Sequence, residues 1–269
     1  MAPAAWRVMD WPRRIFDEIR SRGSSPERLL DLVRRLRPEP CGFPLVRIGP
    51  KRDGGYLLPD DLDGIEACFS PGVGRTFAFE ADLLARGIPS HLADASVPKP
   101  PDLPDGLSFD PFFLGARTAD GLVTLDEWIR RRRPDARGDL LLQMDIEGSE
   151  YTVLPSLDPA TLLRFRIVIV EFHQLPLLAD PFLCRILSPA FEVLLEQFVP
   201  VHLHPNNVRR SKRFGELEVP RTMEFTFLRR DRVRPGGPAP TFPHPLDADC
   251  VEGRPTITLP AAWRPGSRL

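Results

Sequence analysis

The residues most able to do chemistry follow one apolar run. Leu140, Leu141 and Leu142 lead through Gln143 and Met144 into Asp145, Ile146, Glu147 and Gly148. A continuous apolar run suits a strand covered on both faces, as in a parallel sheet. Two carboxylates at its end need a reason, because an unpaired buried charge is strongly unfavourable. The carboxyl edge of an open α/β sheet, where ligands bind, supplies one. Capping of the next helix by Asp145 or Ser149, with the acids at its positive end, supplies another, and the two are compatible. A second run, Ile167 to Phe172, is the most β-branched in the chain and meets Glu171 and His173 at its end. His204, Pro205, Asn206 and Asn207 follow a third, Phe198 to Leu203. Neutral imidazole is the natural base near neutral pH, which makes His173 and His204 the candidates. Asp145, Glu171, His173 and His204 also offer oxygen and nitrogen donors that suit Mg, Mn or Fe, although no compact ligand spacing supports a metal. Glu224 alternates with Met223 and Phe225 and faces either a pocket or solvent.

The elements that must position these groups alternate between strand and helix. Ile65 to Phe69 predicts a strand, Ser70 to Gly74 a glycine turn, and Phe77 to Ala85 a helix ending at Gly87. Ser90 to Ala93 predicts the next strand. It ends at Asp94, about 20 residues beyond Gly74, the separation at which an acid meets a ribose hydroxyl in nucleotide folds. Leu107 to Ala116 reads as a third strand limited by a proline. Thr124 then caps a helix, with Glu127 completing a capping box, and that helix ends by Pro134. Helical spacing from Pro181 to Gln197 is broken or kinked at Pro189. Phe198 to Leu203 and Thr222 to Arg229 are two last strands with no helix between them. Upstream, Asp53-Gly54-Gly55 predicts a hairpin turn between short strands, and its glycines would let the backbone approach a ligand. Ile15, Ile19, Leu29, Leu32, Val33 and Leu36 recur at helical spacing, with Ser25 and Pro26 opening the second helix. The expected organisation is a helical extension over 1–40, a core domain over 41–232 and a Pro/Gly-rich arm over 233–269.

Composition sets the outer bounds. The chain has 269 residues, 42% apolar and 27% charged, with a formal net charge of -1. That is an ordinary globular balance, without the basic bias of a nucleic-acid binder. Cys41, Cys68, Cys184 and Cys250 are scattered, unlike a zinc site or a disulfide framework. The first residues lack a signal-peptide pattern, and no apolar run approaches the ~20 residues that span a bilayer. The expectation is a cytoplasmic protein acting on a small molecule, with no nucleic-acid or membrane partner; oligomeric state is not readable.

In chain order, DGGYLLPDDL, CFSPGVGRTFAFEADLLARG, TLDEWI, LLLQMDIEGSEYTVL, IVIVEFHQL, LHPNN and PRTMEFTFLRR resemble the FkbM-type family of S-adenosylmethionine-dependent methyltransferases. The resemblance runs from about Arg47 to Asp231, with MDIEG its most specific part. It implies an α/β fold: a Rossmann-like class I methyltransferase sheet of about seven strands with helices on both faces, plus the N-terminal helical extension. It implies S-adenosylmethionine as cofactor, cradled by Ser70, Gly72 and Gly74, with Asp94 on the ribose and Phe113 and Leu114 beside the adenine. Asp145 would lie near the sulfonium and the acceptor. The family's acid before the glycines is replaced by Phe69-Ser70-Pro71, so the cofactor's ammonium must meet another acid, Asp53 or Glu80, near Gly54 and Gly55. The activity implied is methylation of a small hydroxylated metabolite or sugar. Alternatives are a metal-dependent glycosyltransferase using Asp145 and Glu147, a non-catalytic nucleotide-binding module, and, more weakly, an NAD-dependent oxidoreductase, since Phe77 stands where the third glycine belongs.

Overall fold

The computed structural model describes residues 25–135 and 137–267. The helix expected around Ile15 and Ile19 lies outside them. The first described element is α1 (Ser25–Arg35), followed by β1 (Leu45–Ile48), β2 (Tyr56–Pro59), β3 (Ile65–Pro71), α2 (Ala78–Ala85), β4 (Ser90–Ala93) and β5 (Leu107–Asp110). Then come β6 (Phe113–Leu114), β7 (Leu122–Val123), α3 (Leu125–Arg132), β8 (Asp139–Met144), α4 (Glu150–Val153), α5 (Pro159–Leu162) and β9 (Phe165–Phe172). The chain continues through α6 (Pro181–Leu187), α7 (Pro189–Gln197), β10 (Phe198–Pro205), β11 (Lys212–Phe214), β12 (Leu217–Val219) and β13 (Met223–Arg229).

Seven strands form the central sheet in the order β10-β13-β9-β8-β3-β4-β5. β13 runs antiparallel to both β9 and β10, whereas β9, β8, β3, β4 and β5 pair in parallel. This is the Rossmann-like methyltransferase arrangement, in which the last strand inserts as a hairpin partner inside the previous one. The strand β8 is buried along Leu140, Leu141, Leu142, Gln143 and Met144, which explains its unbroken apolar run.

The two faces of the sheet are covered differently. Leu140, Leu142, Val168 and Val170 point into the larger core, with Leu32 and Val33 of α1, Trp128 of α3 and Phe191 of α7. Cys68, Leu141, Ile167 and Ile169 point to the other side, against Ile48, Tyr56 and Leu58 of the β1–β2 hairpin and Phe79 and Leu83 of α2. Thr226 Oγ1 donates to Leu57 O at 2.6 Å and ties the hairpin to β13. Because side chains alternate, Gln143, Asp145, Glu171 and Glu224 share the face that the hairpin covers.

Three local expectations need correction. Leu107 to Ala116 is not one strand: β5 ends at Asp110, Pro111 turns the chain, and β6 leaves the sheet to pair with β7. The Thr124 cap forms, accepting from Glu127 N at 3.2 Å, but the box does not close. The Glu127 carboxylate pairs with Arg131 at 2.8 Å and with Arg130, while Thr124 N donates to Thr118 Oγ1. Finally, the connection after β10 holds a small hairpin, β11–β12, which its basic, turn-rich sequence conceals. The break at Pro189 occurs as expected, between α6 and α7.

At the amino edge of the sheet, acids are held by arginine. Arg166, 6% exposed, donates to Asp139 Oδ2 at 2.7 Å and to the carbonyls of Asp61 and Asp63. Arg229 donates to Asp139 Oδ1 at 2.6 Å, and Arg232 clamps both Asp61 oxygens at 2.8 and 2.7 Å.

The segment after β13 is irregular but packed. Trp263 is fully buried against Phe225 and donates Nε1 to Glu218 O at 3.0 Å. Trp263→Ala should destabilise the protein by about 3–5 kcal/mol, the range for truncating a buried aromatic. An unchanged urea midpoint in that variant would show that the arm contributes nothing to the core.

Candidate active site

Backbone geometry brings the glycine turn and the end of β8 together. Gly72 has φ +85, and a Cβ there would sit 1.5 Å from Asp145 O. Only hydrogen fits, so β3 and β8 continue side by side past their formal ends. Asp145 N donates to Pro71 O, Gly72 N to Ala93 O, and Asp94 N to Asp110 O. The result is a narrow cleft lined by Asp53, Gly54, Gly72, Glu80, Gln143 and Asp145.

The cleft floor is a chain of buried polar side chains. Gln143 Nε2 donates to Tyr56 OH at 3.0 Å, and Ser70 Oγ lies 2.6 Å from Gln143 Oε1 while also touching Glu80 Oε1. One hydroxyl hydrogen cannot serve two acceptors at once, so the Ser70 hydroxyl is shared between Glu80 and the Gln143 amide. Burial pushes the Glu80 carboxyl up to about 7, against the lowering effect of Ser70 and a backbone N–H. Among the described residues no basic side chain contributes to that balance. Asp94 fixes the glycine turn: Oδ2 accepts from Gly74 N at 2.9 Å, and Oδ1 from Ser96 N and Oγ at 2.7 and 2.6 Å. A Cβ built on Gly74 would meet nothing within 4 Å among the described residues, and one on Gly54 would meet Thr76 Oγ1 at 3.7 Å. Gly55 serves the hairpin loop instead, since a Cβ there would lie 2.0 Å from Pro50 O. Leu114 is buried, and Phe113 is 49% exposed beyond the end of β5.

A second group of side chains surrounds His173. Its Nδ1 lies 2.9 Å from Glu150 Oε1, and its Nε2 lies 3.7 Å from Asp145 Oδ1 and 3.4 Å from Glu147 Oε2. Burial alone would lower the His173 pKa, but Glu150, Glu171 and Asp145 raise it to about 9. Asp145 is pushed up to about 9, first by burial and then by the Glu171 charge. Glu147 and Gln174, on the loops flanking the cluster, both adopt positive φ, +55 and +54, unusual for residues other than glycine.

The polar row continues along the carboxyl edge. Glu224 registers with Glu171 on β9 and with His204 on β10. Glu171 accepts from Asn206 Nδ2 at 2.8 Å, and Glu224 from Cys250 Sγ at 3.7 Å. Both carboxyls are pushed up to about 7, by burial and then, for Glu171, by the Glu224 charge. Asp247, from the arm, lies 2.8 Å from His202 Nε2 and 3.6 Å from His204 Nδ1. Burial lowers and Asp247 raises His204, with a net rise to about 9. Among the described residues no lysine or arginine forms an ion pair with Asp145 or Glu171. In a chain with 36 basic residues, where Asp61 and Asp139 at the amino edge both have arginine partners, this is not a shortage of cations.

Of the residues singled out in the sequence, Asp53, Gly54, Gly72, Glu80 and Asp145 therefore line one cleft, with Ser70 beneath it. Glu171, His173 and His204 follow along the same edge, and Asp94 stands behind the turn. Sequence reasoning gave no role to Gln143, Glu150, Tyr56 or Asp247. Gln143 had a signal, as a lone polar side chain inside an apolar strand; Asp247, in an irregular arm, had none.

Glu80 gives a stability prediction. Its folded pKa lies above its ordinary value of 4.5, so its contribution to stability is complete below pH 4.5 and is lost as pH rises through about 7. The loss amounts to about 3 kcal/mol. Relative to wild type, Glu80→Gln should gain about that much between pH 4.5 and pH 8 in urea unfolding. A constant difference between the two proteins across that window would show that Glu80 is not a buried neutral acid.

Comparison with curated proteins finds no match. A family model does match: residues 115–194, from the end of β6 to α7 and including Asp145, Glu150, Glu171 and His173, are similar to the Methyltransferase FkbM domain, a match consistent with the FkbM-type methyltransferase family and with the strand order of the sheet.

Proposed function

We propose that the chain transfers the methyl group of S-adenosylmethionine to a hydroxyl of a small hydroxylated metabolite or sugar. One observation carries the reading: the cleft beside the glycine turn holds a buried carboxyl, Glu80, with no basic partner among the described residues, and opens directly onto Asp145. A carboxyl of that kind suits the ammonium of a methionine moiety, which would ionise it and supply the missing partner. Between the two acids considered for that contact, Glu80 has the stronger claim, because it is already hydrogen-bonded to the turn through Ser70. The open faces of Gly54 and Gly74 admit a ligand against the backbone, and on this reading Asp94, which also holds Gly74 N, takes the ribose hydroxyls.

S-adenosylmethionine, when bound, supplies a methyl carbon on a positively charged sulfur. The chain's part is to position the acceptor hydroxyl in line with it and to take the hydroxyl proton. His204 is cationic near neutral pH in these surroundings, so it acts here as a donor that orients acceptor oxygens. The proton goes to the Glu171 carboxyl, poised at about 7, while Asn206 holds its Oε1. The alternation of Glu171, Glu224, His204 and Asn206 along the rim offers acceptors and donors in turn, which suits a polyhydroxylated acceptor. A glycosyl-transfer reading of Asp145 and Glu147 leaves Glu80, the glycine turn and Asp94 without a role.

Calorimetry with S-adenosylmethionine, a UDP-sugar and NAD tests the ligand class, and S-adenosylmethionine should bind alone. Glu80→Gln and Asp94→Ala should each weaken it by about 1.5–3 kcal/mol, the value of a charge-assisted hydrogen bond. In a methyl-transfer assay with polyol acceptors, Glu171→Gln should lower kcat by about 10²–10⁴-fold, with cofactor affinity retained. Absence of S-adenosylmethionine binding to the wild-type protein would end this reading.

A further inference from the structure

We infer that Asp145, Glu147 and His173 form a binding site for one divalent first-row transition-metal ion, with Glu150 setting the orientation of the histidine. One ligand atom from each of the three residues lies within 4.8 Å of the others. Metal–ligand bonds of about 2.1 Å place neighbouring donors roughly 3.0–3.5 Å apart. The separations of His173 Nε2 from Glu147 Oε2 and Asp145 Oδ1, 3.4 and 3.7 Å, fall at or just beyond that range. They are long for hydrogen bonds, and the one outside the range, to Asp145, is the one a bound ion would draw in.

Independent support comes from Glu150. It is fully buried, engages His173 Nδ1 through Oε1, and has no hydrogen-bond partner on Oε2 among the described residues. A carboxylate on one imidazole nitrogen fixes the ring and presents the other nitrogen, the arrangement found behind metal-bound histidines. Asp145 Oδ1, aimed at that second nitrogen, is also buried without a hydrogen-bond partner. Glu147 itself, and Gln174 next to His173, hold left-handed backbone conformations. Two carboxylates and one imidazole favour Mn²⁺ or Fe²⁺ over Ca²⁺, which prefers an all-oxygen set, and leave coordination positions open for water or ligand oxygens. The use of such an ion, holding neighbouring oxygens of a polyol beside Asp145, rests on the methyl-transfer reading. The binding itself does not.

The test is Mn²⁺ titration of the full-length protein after chelator treatment, followed by the loss of the free-ion electron paramagnetic resonance signal. One tight site per chain is expected. Glu147→Gln, at an exposed position that leaves folding undisturbed, should weaken it at least tenfold. Glu150→Gln should weaken it about 10–100-fold, the usual effect of removing the partner of a ligating histidine. Mn²⁺ should also raise the unfolding temperature of wild type and not that of Glu147→Gln. No Mn²⁺ binding by wild type, or wild-type affinity in Glu147→Gln, overturns the site and leaves His173 as a cation neutralised by its carboxylates. S-adenosylmethionine calorimetry on the same samples keeps the two readings apart. Mn²⁺ bound without S-adenosylmethionine binding upholds the ion site and ends the methyl-transfer reading; the reverse result ends the ion site alone.

Discussion

The contact on which the site depends is the approach of Gly72 to the Asp145 carbonyl. A methyl group at Gly72 would overlap that oxygen, so β3 and β8 can stay in register past their ends only with glycine there. From this follows the row of backbone hydrogen bonds linking Asp145 to Pro71, Gly72 to Ala93 and Asp94 to Asp110. That row sets the turn, the acid of β8 and the acid of β4 at one height. The reactive edge is thus a product of strand register, and α2 and the β1–β2 hairpin close over it by burying Phe79 and Tyr56, whose rings meet edge to face.

The two ends of the sheet treat charge oppositely. At the amino edge, Asp61 and Asp139 are neutralised by Arg166, Arg229 and Arg232 through short hydrogen bonds, and their role is to fix the connections. At the carboxyl edge, Asp145, Glu171 and Glu224 crowd together with carboxyls raised towards or above neutrality. Burying like charges works against folding, and the arrangement persists because the surrounding core is extensive. Strongly perturbed groups gathered at the ligand edge of an α/β sheet mark a functional site more than a structural one.

Much of this was legible in the residues. The β4 strand and its terminal Asp94, the β8 run into Asp145, and the helix-free step from β10 to β13 all follow from local pattern, because an unbroken apolar run or a missing helix is itself the signal. What was not legible depends on distant partners. Nothing near Pro111 says that Phe113 and Leu114 leave the sheet to pair with Leu122 and Val123. The carboxylates around the two imidazoles, Glu150 and Asp145 at His173 and Asp247 at His204, are likewise brought there by the fold and not by local sequence. The glycine-turn half and the acid half also differ in what supports them. The matched family segment spans 115–194, whereas the glycine turn and Asp94 precede it and rest on strand order and geometry.

The arm after β13 shows how a regular scaffold and an irregular segment share one site. Asp247 pairs with His202 and His204 on β10; Asn207 accepts from Val251 N at 2.9 Å and donates to Val251 O at 3.0 Å; Cys250 reaches Glu224. These contacts turn the last sheet strand pair into a wall with the arm as its outer face, and the cavity there is lined by His204, Phe242, His244 and Asp247. The acids that would handle a proton stand on strands, which hold them rigidly, while the boundary of the space next to them is set by residues free of sheet register. Under the methyl-transfer reading, the sheet then governs the reaction and the arm governs which acceptor fits, a division that follows from where rigidity is needed and where variation is tolerated.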